Sequence, residues 1–179
     1  MRFLETEIAG ALIVEPDIHA DERGFFTRLS CTDEFASIGL AFNPRQTSIS
    51  RNAAKHTLRG MHYCTEAEPK LVRCARGGIL DVIFDIRPGS PSFGRALAVE
   101  LDAIGLRGLF IPAGLAHGFL TLEADCDVLY QIDRVYKPGF DAGLRWNDPF
   151  FNFAWPARPA VIGKRDADWP DFDPTNPAS

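Results

Sequence analysis

The stretch Leu71-Val72-Arg73-Cys74-Ala75-Arg76-Gly77-Gly78-Ile79-Leu80-Asp81-Val82-Ile83-Phe84-Asp85-Ile86-Arg87-Pro88-Gly89-Ser90-Pro91 decides the fold class. Two short runs rich in Val, Ile, Leu and Phe are each closed by turn-forming residues, Arg76-Gly77-Gly78 and Arg87 to Pro91. Branched and aromatic side chains suit a pleated, half-buried surface, and runs this short do not make independent helices. The pattern repeats outward in both directions. Ala11 to Val14, Gly24 to Leu29, Ala96 to Leu101, Leu109 to Ile111, Phe119 to Leu122 and Val128 to Ile132 are further runs. Asp21-Glu22-Arg23-Gly24, Pro112-Ala113-Gly114 and Lys137-Pro138-Gly139 punctuate them. One segment reads helical, with Thr32 as cap of Asp33 to Ile38 and Gly39 as stop. Closely spaced strands with almost no helix predict an all-β chain, a β-sandwich or small barrel of jelly-roll type with few short helices. The Pro- and Trp-rich tail from Asn147 onward is expected to wrap over that body.

The chain has 179 residues, 46% apolar and 24% charged, with a formal charge of −5. This size and balance fit a single domain, 1–179, and exclude disordered and fibrous classes. No apolar run reaches the ~18–20 residues of a membrane span. Acids among the first seven residues oppose a secretory signal, so a cytoplasmic location is expected. The acidic balance argues against nucleic acid as partner but leaves room for a small anion held by local arginines. Cys31, Cys64, Cys74 and Cys126 are scattered and lack metal-site spacing, so they read as reduced, mostly buried thiols.

Three segments carry chemistry. Thr57-Leu58-Arg59-Gly60-Met61-His62-Tyr63-Cys64 is a poor recipe for a core strand. Strict alternation puts Arg59 and His62 on opposite faces, so both serve one pocket only if Gly60 marks a bulge or the strand ends at a rim. Ile111-Pro112-Ala113-Gly114-Leu115-Ala116-His117-Gly118-Phe119 places an imidazole near a strand start. In Asp127 to Tyr136, Val128, Tyr130 and Ile132 share a face, which makes the Tyr130 hydroxyl a candidate acid if that face lines a cavity. A fourth segment, Gly163-Lys164-Arg165-Asp166-Ala167-Asp168-Trp169-Pro170, reads alone as solvated surface.

Eight motifs stand in order: Asp21 to Phe26, Leu58 to Tyr63, Lys70 to Arg73, Ser90 to Gly94, Ile111-Pro112 through Phe119, Leu129-Tyr130, Arg145 to Pro149 and Lys164-Arg165-Asp166. With them the chain resembles the dTDP-4-dehydrorhamnose 3,5-epimerase family, RmlC-like cupins, over nearly its whole length. The resemblance implies a cupin-type jelly roll that inverts C3 and C5 of a nucleotide-diphospho-4-keto-6-deoxyhexose, with no metal or redox cofactor. It implies His62 as base, Asp166 as its orienting partner, Lys70 beside the enolate oxygen and Tyr130 as proton donor on the other sugar face. Arg23 and Arg59 are implied for the pyrophosphate, His117 for the sugar, Tyr136 for stacking on the base, and Gln46, Thr47 and Ser48 for the nucleoside. Phe26, Arg28, Asp141 and Arg165 complete the implied binding set. The family also implies a homodimer with N-terminal strand exchange that brings Arg23, Phe26 and Arg28 to the partner's site. Phe3, Leu4, Ile8 and Leu12 to Val14 are candidates for the edge strand.

Departures from the family pattern cluster on the nucleoside side. Arg28 stands where a glutamate is common and Ser48 where an asparagine is common. Cys64 replaces a frequent glutamine and Pro69 a frequent glycine. These leave open a different nucleotide (CDP, GDP or UDP), and residue types alone do not separate C3-only from double epimerisation. A metal-dependent cupin is the rival from another class, but it needs more histidine and glutamate ligands than His62 and His117 supply. A non-catalytic sugar-nucleotide binding module would be expected to lose His62, Asp166 or Tyr130.

Overall fold

The computed structural model describes residues 1–176. Fourteen strands and two short helices follow one another as β1 (Arg2–Glu5), β2 (Leu12–Glu15), β3 (Ile18–Asp21), β4 (Gly24–Thr27), α1 (Thr32–Ser37), β5 (Gln46–Asn52), β6 (Thr57–Cys64), β7 (Lys70–Arg76), β8 (Gly78–Asp85), β9 (Ala96–Asp102), β10 (Gly108–Ile111), β11 (Leu115–Thr121), β12 (Cys126–Ile132), β13 (Asp141–Gly143), β14 (Val161–Ile162) and α2 (Lys164–Ala167). One sheet runs β1-β2-β10-β7-β12-β5 and the other β13-β6-β11-β8-β9, with β14 parallel to β6. The hairpin β3–β4 stands apart as its own two-stranded sheet. This is the all-β sandwich the turn-punctuated runs predict.

The two sheets face each other over an apolar core of Val72, Cys74, Ile79, Ile83, Leu109, Ile111, Phe119 and Val128 among others. Alternation along each strand then assigns the opposite faces. Val82 and Phe84 point out of the second sheet into a cluster with Met61, Ala116, Phe151, Phe153, Trp155 and Phe172. The tail therefore wraps over that face as expected, Phe84 stacking on Phe151 with centroids 4.3 Å apart. Leu71 and Phe110 point out of the first sheet against Phe35 and Phe42, so α1 and the loop after it cap that side.

Helix α1 corrects one expectation. Cys31, not Thr32, is the extended residue before the first turn, and no side chain caps it. The stop is as predicted. Gly39 takes φ 80°, its N–H reaches Ala36 O, and the Leu40 N–H reaches Phe35 O, the paired closure that a left-handed glycine permits. The cysteines are all free, but only Cys74 and Cys126 are buried, so Cys31 and Cys64 depart from the mostly buried reading.

The turn after β8 is held by a buried carboxylate. Asp85 accepts from Arg87 Nη2 at 2.7 Å, Ser90 Oγ at 2.6 Å and Ser92 Oγ at 2.6 Å. Burial alone would raise its pKa, but Arg87, Ser90 and Ser92 outweigh it and bring it down to about 2. The Ser90 to Gly94 motif is therefore a structural corner.

Candidate active site

The core fills one end of the sandwich, and at the other the sheets part around a cavity of about 350 Å3. Its walls carry Arg59 and His62 from β6, Lys70 from β7, His117 from β11, and Tyr130 and Ile132 from β12. Gln46 and Ser50 of β5, Glu68, Tyr136, Asp141 and Arg165 line its rim and mouth.

Arg59 and His62 share this space because β6 bulges. His62 pairs with His117, but Arg59 pairs with Phe119, so β6 spends one more residue than β11 between the two contacts. Glycine makes the bulge possible. Gly60 sits at φ 129°, and a Cβ there would stand 2.5 Å from the Gly118 Cα. A Cβ on Gly118 would meet Met61 Sδ at 2.6 Å and Arg59 O at 2.8 Å. The Gly60 condition set by alternation is met.

His62 is half exposed to the cavity, and its Nε2 lies 2.7 Å from Asp166 Oδ1. The other oxygen of Asp166 accepts the Gly60 N–H at 3.0 Å. Burial by itself would raise this carboxyl, yet the His62 ring, and after it the Gly60 N–H, hold it below the usual carboxylate range. Asp166 is thus an ionised group fixed between the bulge and the imidazole. Its segment is placed by β14 against the start of β6 and by Arg165, which stacks on Trp169 at 4.8 Å.

A second imidazole–carboxylate pair stands beside the first, His117 lying opposite His62 in the β6–β11 ladder. His117 Nε2 lies 2.7 Å from Asp81 Oδ1, both buried. The Tyr130 ring meets His117 edge-on, centroids 6.0 Å apart. Burial first, and the Asp81 carboxylate second, push the Tyr130 phenol up, against a smaller opposite pull from Arg59. It therefore keeps its proton throughout the neutral range. Lys70 Nζ lies 3.0 Å from Glu68 Oε1, and Arg59 Nε donates to Asn52 Oδ1 at 2.8 Å. The cavity thus holds a braced imidazole and a guanidinium on the wall of one sheet, and a protonated phenol and a paired ammonium on the wall of the other. That set can take a proton from carbon, stabilise an oxyanion and return a proton.

The family described as dTDP-4-dehydrorhamnose 3,5-epimerase matches residues 5–174. The dTDP-4-dehydrorhamnose 3,5-epimerase of Escherichia coli (strain K12) is 39% identical, over 90% of this chain and 89% of that one. The same-named enzyme of Bacillus anthracis str. Ames, solved with TDP and PPi bound, superposes with a TM-score of 0.91 at 33% identity, covering 95% of this chain and 98% of that one. The dTDP-6-deoxy-D-glucose-3,5-epimerase of Legionella pneumophila Philadelphia 1, in complex with dTDP-4-keto-L-rhamnose, gives 0.90 at 34%, covering 95% and 92%.

This chain belongs to the dTDP-4-dehydrorhamnose 3,5-epimerase family. It is accordingly an isomerase on the cupin-type sandwich of that family. The epimerase cavity gathers His62, Lys70, Arg59, His117, Tyr130, Gln46, Tyr136, Asp141 and Arg165, with Asp166 behind His62. Five expected residues lie outside it. Thr47 falls on the face of β5 opposite Gln46 and Ser50, because side chains alternate along a strand. Ser48 is on the cavity's face, opposite Tyr130 in the ladder, but sits exposed on the edge strand instead of on the cavity wall. Arg23 pairs with Asp21 at the tip of the β3–β4 hairpin. Phe26 and Arg28 line a separate pocket with Asp17, His19 and Glu34, and Arg28 is tied to Glu34 at 2.9 Å. Within one chain, the hairpin residues do not reach the cavity.

The residue types singled out in the sequence passed over Glu68, Asp81, Asn52, Ser50 and Arg134. Asp81 left a signal, since it is the lone carboxylate between Ile79 and Ile83 on the inner face of β8. The others belong to polar segments that look like surface until folded.

Proposed function

We propose that this epimerase binds dTDP-4-dehydro-6-deoxy-D-glucose in the cavity and inverts C3 and C5 to give dTDP-4-dehydro-L-rhamnose. The observation that carries the reading is the 2.7 Å His62–Asp166 pair opening onto the same cavity as Lys70 and Tyr130. The 4-keto group acidifies the adjacent C–H bond. His62 takes that proton, the C–H electron pair moves into the enolate, and the charge on O4 is met by the Lys70 ammonium. Asp166 fixes the ring and stabilises the imidazolium. Tyr130 then gives its proton to the opposite face of the same carbon; the phenolate takes a proton from solvent and the His62 imidazolium releases one to it, which restores both groups. His117, whose Nε2–H is held by Asp81, keeps Nδ1 to accept from a sugar hydroxyl, and Arg59 takes the diphosphate.

Arg23, Phe26 and Arg28 complete the site from a second copy in this reading, which makes the active form a homodimer with exchanged N-terminal strands. The support is the β3–β4 hairpin, which leaves Phe25 56% and Phe26 75% exposed. Light scattering after gel filtration reads the mass, and a monomer at micromolar concentration sinks this part. We place the enzyme in the cytoplasm, supported by its free thiols. Among the described residues no helix is long and apolar enough to cross a membrane.

The decisive experiment is solvent exchange. In D2O with dTDP-4-keto-6-deoxyglucose, the substrate should gain deuterium at C3 and C5 by NMR, unchanged by chelator. Exchange at C3 alone redefines the enzyme as a C3 epimerase, and absence of exchange with any 4-keto sugar nucleotide refutes the catalytic reading.

A further inference from the structure

The Lys70 ammonium does not stand alone in the cavity wall. It lies 3.0 Å from Glu68 Oε1, and both side chains are nearly nine-tenths buried. The other oxygen of Glu68 faces Arg134 Nη1 at 3.4 Å. Arg134, itself 8% exposed, reaches Glu66 through Nη2 at 3.0 Å, donates to Cys64 Sγ at 2.6 Å and lies over the Phe140 ring at 4.9 Å. The backbone joins the same parts, since the Asp133 N–H donates to Pro69 O at 3.0 Å and Lys70 stands opposite Ile132 in the ladder. Four alternating charges, Lys70, Glu68, Arg134 and Glu66, thus run from the cavity wall to the rim.

A buried ion pair is a weak source of stability, because desolvating both charges offsets their attraction and an apolar pair of similar size does as well. What such a pair supplies is position. Lysine carries three N–H donors on a flexible four-carbon stem. One donor committed to Glu68 orients the other two and prevents the stem from sweeping the cavity. Arg134 draws part of the charge of Glu68 to itself, so the ammonium is oriented without being fully neutralised.

We propose that Glu68, held by Arg134, is a positioning residue that aims the Lys70 ammonium at the developing oxyanion. The proposal rests on the enolate-stabilising reading of Lys70. An ammonium aimed only in the transition state changes kcat, whereas one that grips substrate and transition state alike changes KM.

The test measures kcat, KM and dTDP affinity for the full chain carrying Lys70→Met, Glu68→Gln, Glu68→Asp, Arg134→Met, and Glu68→Gln with Arg134→Met. Glu68→Gln should lower kcat by up to about 100-fold, as a small misplacement of a catalytic group can, while KM and dTDP affinity stay within about twofold. Glu68→Asp should recover part of that loss. Arg134→Met should lower kcat less and add nothing to Glu68→Gln, as expected of members of one chain. Wild-type kcat in Glu68→Gln, a loss confined to KM, or additive losses in the double variant would each overturn the proposal. Should Glu68→Gln fail to fold, wild-type kcat in both Arg134→Met and Glu68→Asp overturns it equally. Lys70→Met with wild-type kcat refutes instead the role given to Lys70, so the two failures are separable.

Discussion

At the residue scale, the His62–Asp166 pair makes the sharpest demand. Asp166→Asn removes the charge that holds the imidazole while keeping the side chain's size, and the epimerisation rate should fall roughly 100-fold or more, within the usual range for general base catalysis. Far-ultraviolet dichroism should remain unchanged. His62→Ala should abolish solvent exchange altogether. Tyr130→Phe separates the two half-reactions. The base still works, so deuterium should still enter at C3, while inversion slows by about 100-fold for want of the acid. Both residues were legible in the sequence, as an imidazole beside a bulge-prone glycine and a tyrosine on the Val128–Ile132 face. Asp166 was not legible from pattern alone, because its charged segment is indistinguishable from solvated surface until the tail folds back onto β6.

At the element scale, β6 and β11 approach so closely that two glycines face each other. A methyl at Gly118 collides with Met61 Sδ and the backbone of Arg59. Gly118→Ala should therefore shift the bulge, cost about 1–3 kcal/mol as overpacked sites do, and lower activity by moving Arg59 and His62 together. Gly163→Ala is the control, since no atom lies within 4 Å of its added Cβ; chemical denaturation and turnover of the two variants decide the matter. β5 illustrates what periodicity misses. Gln46 and Ser50 are its contribution to the cavity, and a strand that lines a polar cavity has no apolar stripe to betray it. The apolar strands β7, β8, β10 and β12 were readable for the converse reason, since they fill the core.

At the scale of the whole molecule, acid stability should follow Asp85. Its pKa is depressed to about 2 in the fold and returns to ~3.9 in the unfolded chain. The stability it contributes is therefore fully present above about pH 4 and is lost as pH falls from there toward 2. Asp166, also depressed, adds to the loss below the ordinary carboxylate range. Asp85→Ala takes the carboxylate away from Arg87 and from the Ser90 and Ser92 hydroxyls, leaving Arg87 only its bonds to Ala9 O and Ser90 Oγ, so unfolding in urea at pH 7 should be easier by about 3 kcal/mol, the usual loss for one partner of a buried pair. Below about pH 2 the two proteins should converge; a constant difference down to that pH would assign the loss to packing and not to charge.

The order of apolar runs and turn residues determined the sandwich, the single α1 stop at Gly39 and the chemistry available, because strand periodicity and glycine conformations are local properties of the chain. Motif order determined the family, since eight segments in register carry more information than any one of them. The tertiary structure alone decided which polar groups meet. Asp166 lies 104 residues from His62 and Asp81 lies 36 from His117, and no local rule pairs charges across such distances. Only the closure of two sheets around a cavity, with a bulge to turn Arg59 and His62 the same way, brings them within hydrogen-bond reach.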